Sequence, residues 1–273
     1  MISFGILGCG NIGQFVMRNL ARPEFKQLSL QVLADVPAKE VLLKDLAAAH
    51  RCAYTIDPDA LIDRQLQLVM EAATPEVVKR HVPKLLRAGI HVLTMSVGAF
   101  ADEEMLAEAA RAAEAGGSRL LLPTGAIAGL DYLKAAQLVG LEEASITITK
   151  SPKSLAGAPH FQKKPMDLFA LNEPTAVFVG SAREAIASFP ANVNVAVAVS
   201  LASVGVDETR VRVICDPAAT QTRFSISARG ATGEMQIELT NFVSPDNPRT
   251  SYQACCSALA TLRRFSDSLQ IGT

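Results

Sequence analysis

The chain has no surplus of charge of either sign: 26 Lys and Arg face 27 Asp and Glu, for a formal net charge of -1 over 273 residues. Nothing is there to neutralise a run of phosphates, so no nucleic-acid partner is expected. No apolar stretch reaches the about 18 residues of a membrane span, so no membrane association is expected either. The opening MISFGILGCG carries no basic region ahead of a long apolar run, as a secretion signal would. The five cysteines, at 9, 52, 215, 255 and 256, form no C-x-x-C pair, and no His stands at ligand spacing from them. No metal site is therefore expected. Their odd number and scatter suit reduced thiols, which points to a cytoplasmic location.

Apolar residues, in contrast, make up 49% of the chain and charged residues 19%. That is enough to build a sizeable core, and the length suits two domains. The apolar residues begin at once as a β-prone run, Ile2 to Leu7, which enters Gly8-Cys9-Gly10-Asn11-Ile12-Gly13. Phe15, Val16 and Leu20 then recur at helical spacing. A G-x-G-x-x-G between a strand and a helix is the phosphate turn of a dinucleotide site. Gly8 permits the tight turn, Gly10 the approach of a pyrophosphate, and Gly13 the close packing of helix on strand. A second strand, Leu28 to Leu33, ends at Asp35, about 20 residues beyond the glycines, where an acid meets the adenosine ribose and repels a 2′-phosphate. The expected cofactor is NAD, with NADP possible.

Strands at Leu66–Ala73, Ile90–Ser96 and Leu120–Leu122 alternate with helices over 76–88 and 102–115. That rhythm predicts an α/β fold whose first part, residues 1–123, is a Rossmann domain with a doubly wound parallel sheet. Ligands of such sheets bind at the carboxyl ends of the strands, so Ala73, Thr74, Ser96, Val97 and Gly98 join Gly8, Gly10, Asn11, Ile12, Gly13 and Asp35 as expected cofactor-binding residues. His91 reads as a core residue of its strand, and His50 and His81 as parts of solvated helix faces.

The pattern changes after Pro123. A glycine-rich stretch, Thr124–Gly129, precedes a helix over 130–139. Alternating strands are expected at 144–150, 175–179, 210–215, 222–228 and 234–239, and the last three have no helices between them. A second, α+β domain with a largely antiparallel sheet is therefore expected over 124–245. Residues 151–165 read as a long polar loop; with Lys150 at its start, and with Lys153, His160, Lys163 and Lys164, it forms a basic neighbourhood suited to an anionic substrate. A turn at 244–250 leads to a helix over 250–265, which is expected to pack back on the first domain.

These residues carry a resemblance. GCGNIG at 8–13, SVGA at 96–99, GAIAGLD at 125–131, KSPKSLAGAP at 150–159, GSARE at 180–184, FPANVNVA at 189–196, CDP at 215–217 and NPRTS at 247–251 are similar to stretches of the L-aspartate dehydrogenases over essentially the whole chain. The resemblance implies interconversion of L-aspartate and iminoaspartate with NAD(P), and a product that can feed NAD biosynthesis. It also implies a second domain that completes the substrate cleft and mediates a homodimer, with Ala126 and Asn194 as further cofactor contacts. The family carries a catalytic His in an N-x-H pattern after the D-P turn; here Thr222 and Phe224 stand at the Asn and His positions. Phe cannot exchange a proton, so Lys150 and His160 become the candidate proton carriers for a small anionic amino-acid substrate. Two alternatives remain: a dehydrogenase or imine reductase for a different amino acid, and a non-catalytic NAD-binding regulator.

Overall fold

The structure is a computed structural model that describes residues 1–190 and 193–272, without the side chains of 248 and 249. Ala191 and Asn192 of the FPANVNVA stretch, the side chains of Pro248 and Arg249 in NPRTS, and Thr273 of the closing segment lie outside the described residues. The chain divides into two compact units, Met1–Pro123 with Cys255–Ile271, and Thr124–Ala254 with Gly272.

The first unit is built on six parallel strands. In chain order its elements are β1 (Ile2–Leu7), α1 (Asn11–Asn19), β2 (Leu28–Ala34), α2 (Glu40–His50), β3 (Ala53–Thr55), β4 (Leu68–Glu71), α3 (Pro75–Arg87), β5 (His91–Thr94), α4 (Glu103–Gly116) and β6 (Leu120–Leu121). The spatial order is β3-β2-β1-β4-β5-β6. The direction of winding reverses between β1 and β4, so the glycine turn after β1 lies at the point where such sheets bind ligands. β3 is a short edge strand without a periodic pattern of its own, and the strand assignment from sequence omits it.

Local chemistry sets the helix ends here. Thr74 caps α3, whose first position is Pro75. Asp102 caps α4 by accepting from the N–H groups of Glu104 and Met105. The core of this unit packs Phe15, Val16 and Met17 of α1 against Phe4, Ile6, Leu33 and Met70 of the sheet. Cys255, Ala258, Leu259 and Leu262 complete it from the last helix. Each fully buried aliphatic of this kind contributes about 1.5–3 kcal/mol.

In the second unit, α5 (Leu130–Gln137) precedes β7 (Leu141–Lys150). Then come α6 (Pro152–Leu155), α7 (Pro159–Lys163), β8 (Thr175–Ser181), α8 (Ala182–Ser188), α9 (Asn194–Leu201), β9 (Arg210–Cys215), β10 (Thr222–Gly230) and β11 (Gly233–Asn241). The five strands lie in the order β11-β10-β7-β9-β8; β7 and β9 run parallel, and every other pairing is antiparallel. Two short helices occupy the segment expected as a loop over 151–165, each opened by a proline at its first turn. A small hairpin, β12 (Val243–Ser244) with β13 (Asn247–Ser251), replaces most of the expected turn, so α10 (Tyr252–Ser266) starts two residues later than its sequence pattern indicates. No helix among the described residues is long and apolar enough to cross a membrane.

Candidate active site

The glycine turn takes its shape from three different constraints. Gly8 has φ +102°, and a Cβ there would come within 2.6 Å of the Ala72 backbone, so β1 and β4 could not approach as they do. A Cβ on Gly13 would strike the Gly8 carbonyl, which keeps α1 tight against the turn. Gly10 is different. Its φ of -78° suits any residue, and a Cβ would meet no atom within 4 Å. The space above Gly10 is therefore not required by the fold. It opens at the N-terminus of α1, which has no side-chain cap and no acid in its first turn. Backbone N–H groups and the positive end of the helix dipole suit a pyrophosphate at that place.

The Gly10 space yields a clean test. Gly10→Ala should leave the unfolding free energy of the free protein within about 0.5 kcal/mol of wild type. It should weaken NADH, read by fluorescence titration, by about tenfold or more, because the methyl takes the room of the phosphate. An alanine variant that binds NADH like wild type would show the space to be irrelevant to the cofactor.

Asp35, the expected ribose acid, follows β2 and is nearly fully buried. Its Oδ2 accepts the Cys9 N–H of the glycine turn at 2.8 Å and the Lys39 ammonium at 3.0 Å; its Oδ1 accepts the Val36 N–H at 2.8 Å. Asp35 thus braces the glycine turn. Gln14 adds a second brace by donating to the Cys9 carbonyl at 3.0 Å, and Asn11 Nδ2 reaches the Cys255 Sγ of α10 at 3.6 Å. Burial pushes the Cys9 thiol up to about 12, so it is an inert packing group.

The other residues expected at the cofactor edge are held by one side chain that the sequence reading passes over. Glu71 closes β4 and is fully buried. Its carboxylate accepts the Ala73 N–H at 2.7 Å, the Ser96 hydroxyl at 2.8 Å, the Ser96 N–H at 3.2 Å, and the Thr94 hydroxyl. Ala73–Thr74 after β4 and Ser96-Val97-Gly98 after β5 are therefore tied to a single anion. Burial pushes the Glu71 carboxyl up, and these donors oppose that shift. The available signal was a lone carboxylate in the apolar run Leu68-Val69-Met70-Glu71-Ala72-Ala73.

In the second unit the Thr124–Gly129 stretch is pressed against neighbouring elements. A Cβ on Gly129 would strike Ile237, and Asn241 Nδ2 donates to the Ala126 carbonyl. Gly125 faces Val195, next to Asn194 at the start of α9. Strand register places Lys150 on the buried face of the sheet. Ala144, Ile146 and Ile148 alternate on that face; Ile148 pairs with Phe224 and Lys150 with Cys215. Lys150 and Phe224 thus share a face near one end of β7, both nearly inaccessible. Burial depresses the Lys150 ammonium from 10.5 to about 8. Lys150 ends the strand expected over 144–150, and its neighbour Asp216, whose N–H donates to the Lys150 carbonyl, is ion-paired to Arg223.

His160 is packed differently. Its ring stacks on Phe189 with centroids 4.9 Å apart and meets Phe161 and Phe178 edge-on. A bond with the Val177 backbone fixes the ring, and burial and Lys164 push its pKa down. Two other histidines depart from the sequence reading. His81 is buried, with Nδ1 2.6 Å from Asp59, because the exposed side of α3 is covered by the turn at 58–64. His91 is only half-buried and packs edge-on against Phe265. Among the described residues no three His, Cys, Asp or Glu gather as a metal site.

The open parallel sheet with this phosphate turn defines a Rossmann dinucleotide-binding unit. Residues 8–123 match a family described as homoserine dehydrogenase, NAD binding domain, and residues 131–265 match one described as aspartate dehydrogenase, C-terminal. The chain is 36% identical to an L-aspartate dehydrogenase of Methanosarcina barkeri, over 100% of both chains. It is 37% identical to an L-aspartate dehydrogenase 2 of Bordetella bronchiseptica, over 97% of both. The crystal structure of an aspartate dehydrogenase from Thermotoga maritima superposes with a TM-score of 0.77 at 26% identity, covering 100% of both chains. The chain belongs to the L-aspartate dehydrogenase family, and its cofactor is NAD(P).

Proposed function

We propose that this protein is a cytoplasmic, NAD(P)-dependent L-aspartate dehydrogenase that interconverts L-aspartate and iminoaspartate, with Lys150 as the proton carrier. The observation that carries the reading is the end-to-end relationship to L-aspartate dehydrogenases, which spans both units. When bound, the nicotinamide supplies the hydride acceptor for oxidation and the donor for reduction. The chain's own residues do the rest. The Gly8–Gly13 turn and the α1 N-terminus hold the pyrophosphate, Asp35 meets the ribose, and Ala73, Thr74, Ser96, Val97 and Gly98 border the nicotinamide end. The family resemblance adds Ala126 and Asn194 as further cofactor contacts.

Oxidation of an amine requires its nitrogen to shed a proton before Cα loses hydride. A buried lysine with a pKa of about 8 is suited to take that proton, whereas an ordinary lysine at 10.5 would hold its own. His160, whose ring stacks on Phe189, then serves the scaffold of the second unit. Iminoaspartate released by the reaction is hydrolysed by water to oxaloacetate and ammonia, or consumed as a precursor in NAD biosynthesis.

Phe224 favours a second reading, a dehydrogenase for an amino acid with a less charged side chain. NAD reduction with L-aspartate, and NADH oxidation with oxaloacetate plus ammonia, separate the two. Turnover of aspartate at about 1 s⁻¹ or above supports the first reading. Silence on aspartate with turnover of an apolar amino acid supports the second. Tight NADH binding without any turnover would leave a non-catalytic regulator. Phe224→His is a useful companion: a gain in aspartate turnover would show that the family's acid–base position still addresses the substrate.

The protein is further read as a homodimer through the outward face of the mixed sheet. Ser145, Arg210, Ser227, Arg229, Glu234 and Gln236 border a shallow groove there, and its mixed charges allow a self-complementary contact. Light scattering should give twice the 29.0 kDa chain mass.

A further inference from the structure

We propose that Lys39 is the residue that holds the 2′-phosphate when NADP is the dinucleotide; this rests on the reading that the first unit binds a dinucleotide. An acid after the second strand of such a sheet ordinarily rejects NADP, because its carboxylate would face the phosphate. Asp35 is not such a bare acid. Its Oδ2 already accepts the Cys9 N–H and the Lys39 ammonium, and its Oδ1 accepts the Val36 N–H. The two charges of the pair stand 3.0 Å apart, and they are unequally placed. The Asp35 side chain is 5% exposed and that of Lys39 43%, so the ammonium, not the carboxylate, is the charge that an arriving ligand meets.

The neighbouring charges leave this arrangement intact. Glu40, the next acid along the chain, is paired with Lys44 at 3.3 Å. Val36, Pro37 and Ala38, between the two partners, carry no charge. Lys39 sits four residues beyond Asp35 at the end of the short turn Pro37–Lys39, on a flexible stem that can keep one contact to the carboxylate while reaching a phosphate oxygen. With NAD the pair stays closed and Asp35 still offers its remaining Oδ1 lone pair to the ribose. With NADP the phosphate becomes a second partner for the ammonium.

The probes are 5′-AMP and 2′,5′-ADP, which differ only in the 2′-phosphate, titrated calorimetrically into the full-length protein. Wild type is expected to bind 2′,5′-ADP at least as tightly as 5′-AMP. Lys39→Gln should weaken 2′,5′-ADP by about tenfold and leave 5′-AMP within about twofold, the difference expected of one charge-assisted contact. Lys39→Arg should keep 2′,5′-ADP binding, and Lys44→Gln should change neither. Added salt should erode the wild-type preference, since the contact is between charges near the surface. Rejection of 2′,5′-ADP by a wild-type protein that binds 5′-AMP overturns the proposal and leaves the dinucleotide reading standing. Equal weakening of both ligands in Lys39→Gln also overturns it, reducing Lys39 to a brace for the turn. Binding of neither ligand to wild type removes the dinucleotide reading and this proposal together.

Discussion

Replacing Lys150 by Met should make the protein more stable at neutral pH and nearly inactive at every pH. The gap between 10.5 and about 8 corresponds to about 3 kcal/mol of unfavourable burial carried by the ammonium. The sign follows from proton counting. Between pH 8 and 10.5 the unfolded chain holds a proton on this lysine that the folded chain has released, so stability rises with pH across that window. Below pH 8 both states are protonated, and the full cost is present. Lys150→Met, similar in length and free of charge, should therefore gain up to about 3 kcal/mol in urea unfolding at pH 7, and the gain should shrink to nothing as pH approaches 10.5. Turnover should fall about 10²–10⁴-fold, as for loss of a positioned acid or base. In wild type, kcat/KM for L-aspartate oxidation should rise with pH and level off above about 8, and the variant should lack that limb. If Lys150 instead only held a substrate carboxylate, Lys150→Met would raise KM with kcat little changed. A variant that is both less stable and fully active would remove Lys150 from the chemistry.

The second large effect is expected at Glu71. Glu71→Ala leaves the Ala73 and Ser96 N–H groups and two hydroxyls without their common acceptor, and Thr94 and Ser96 are buried. A single orphaned buried donor costs about 1–3 kcal/mol, so a loss of 3 kcal/mol or more is expected in chemical unfolding. Glu71→Gln is the sharper probe. The amide keeps the volume but turns one acceptor into a donor that faces other donors. The segments at 73–74 and 96–98 then lose their shared anchor. NADH binding should weaken by about tenfold or more, while the second unit, which contains no part of this network, should retain its protection in hydrogen exchange. Unchanged NADH affinity in Glu71→Gln would mean that those two segments do not shape the cofactor site.

Lys150 and Glu71 illustrate what short-range pattern conveys and what it does not. Glu71 is a lone charge within an apolar run, and Lys150 closes an alternating strand. For Lys150 the local pattern shows a cluster of basic residues at a polar loop, suited to an anionic substrate. The strand register instead buries its ammonium beside Cys215 and on the same face as Phe224. For Glu71 nothing local signals that Thr94 and Ser96, more than twenty residues on, converge on its carboxylate. His81 shows the same limit, since its helical spacing says nothing about the turn that lies over it and brings Asp59 to its ring.

The sequence by itself determined the phosphate turn, the βα rhythm of the first unit, the alternating strands of the second and the family resemblance. All of these rest on spacings within a few residues or on motifs read directly, and backbone geometry ties such spacings to one local structure. Only the tertiary structure decided that Asp35 is buried against the Cys9 N–H of the glycine turn, that Glu71 gathers four donors, that His160 stacks on Phe189 and that Lys150 is dry. Those properties depend on which distant segments close over a side chain. Desolvation and hydrogen-bond partners, which set charge and reactivity, exist only once that packing is complete.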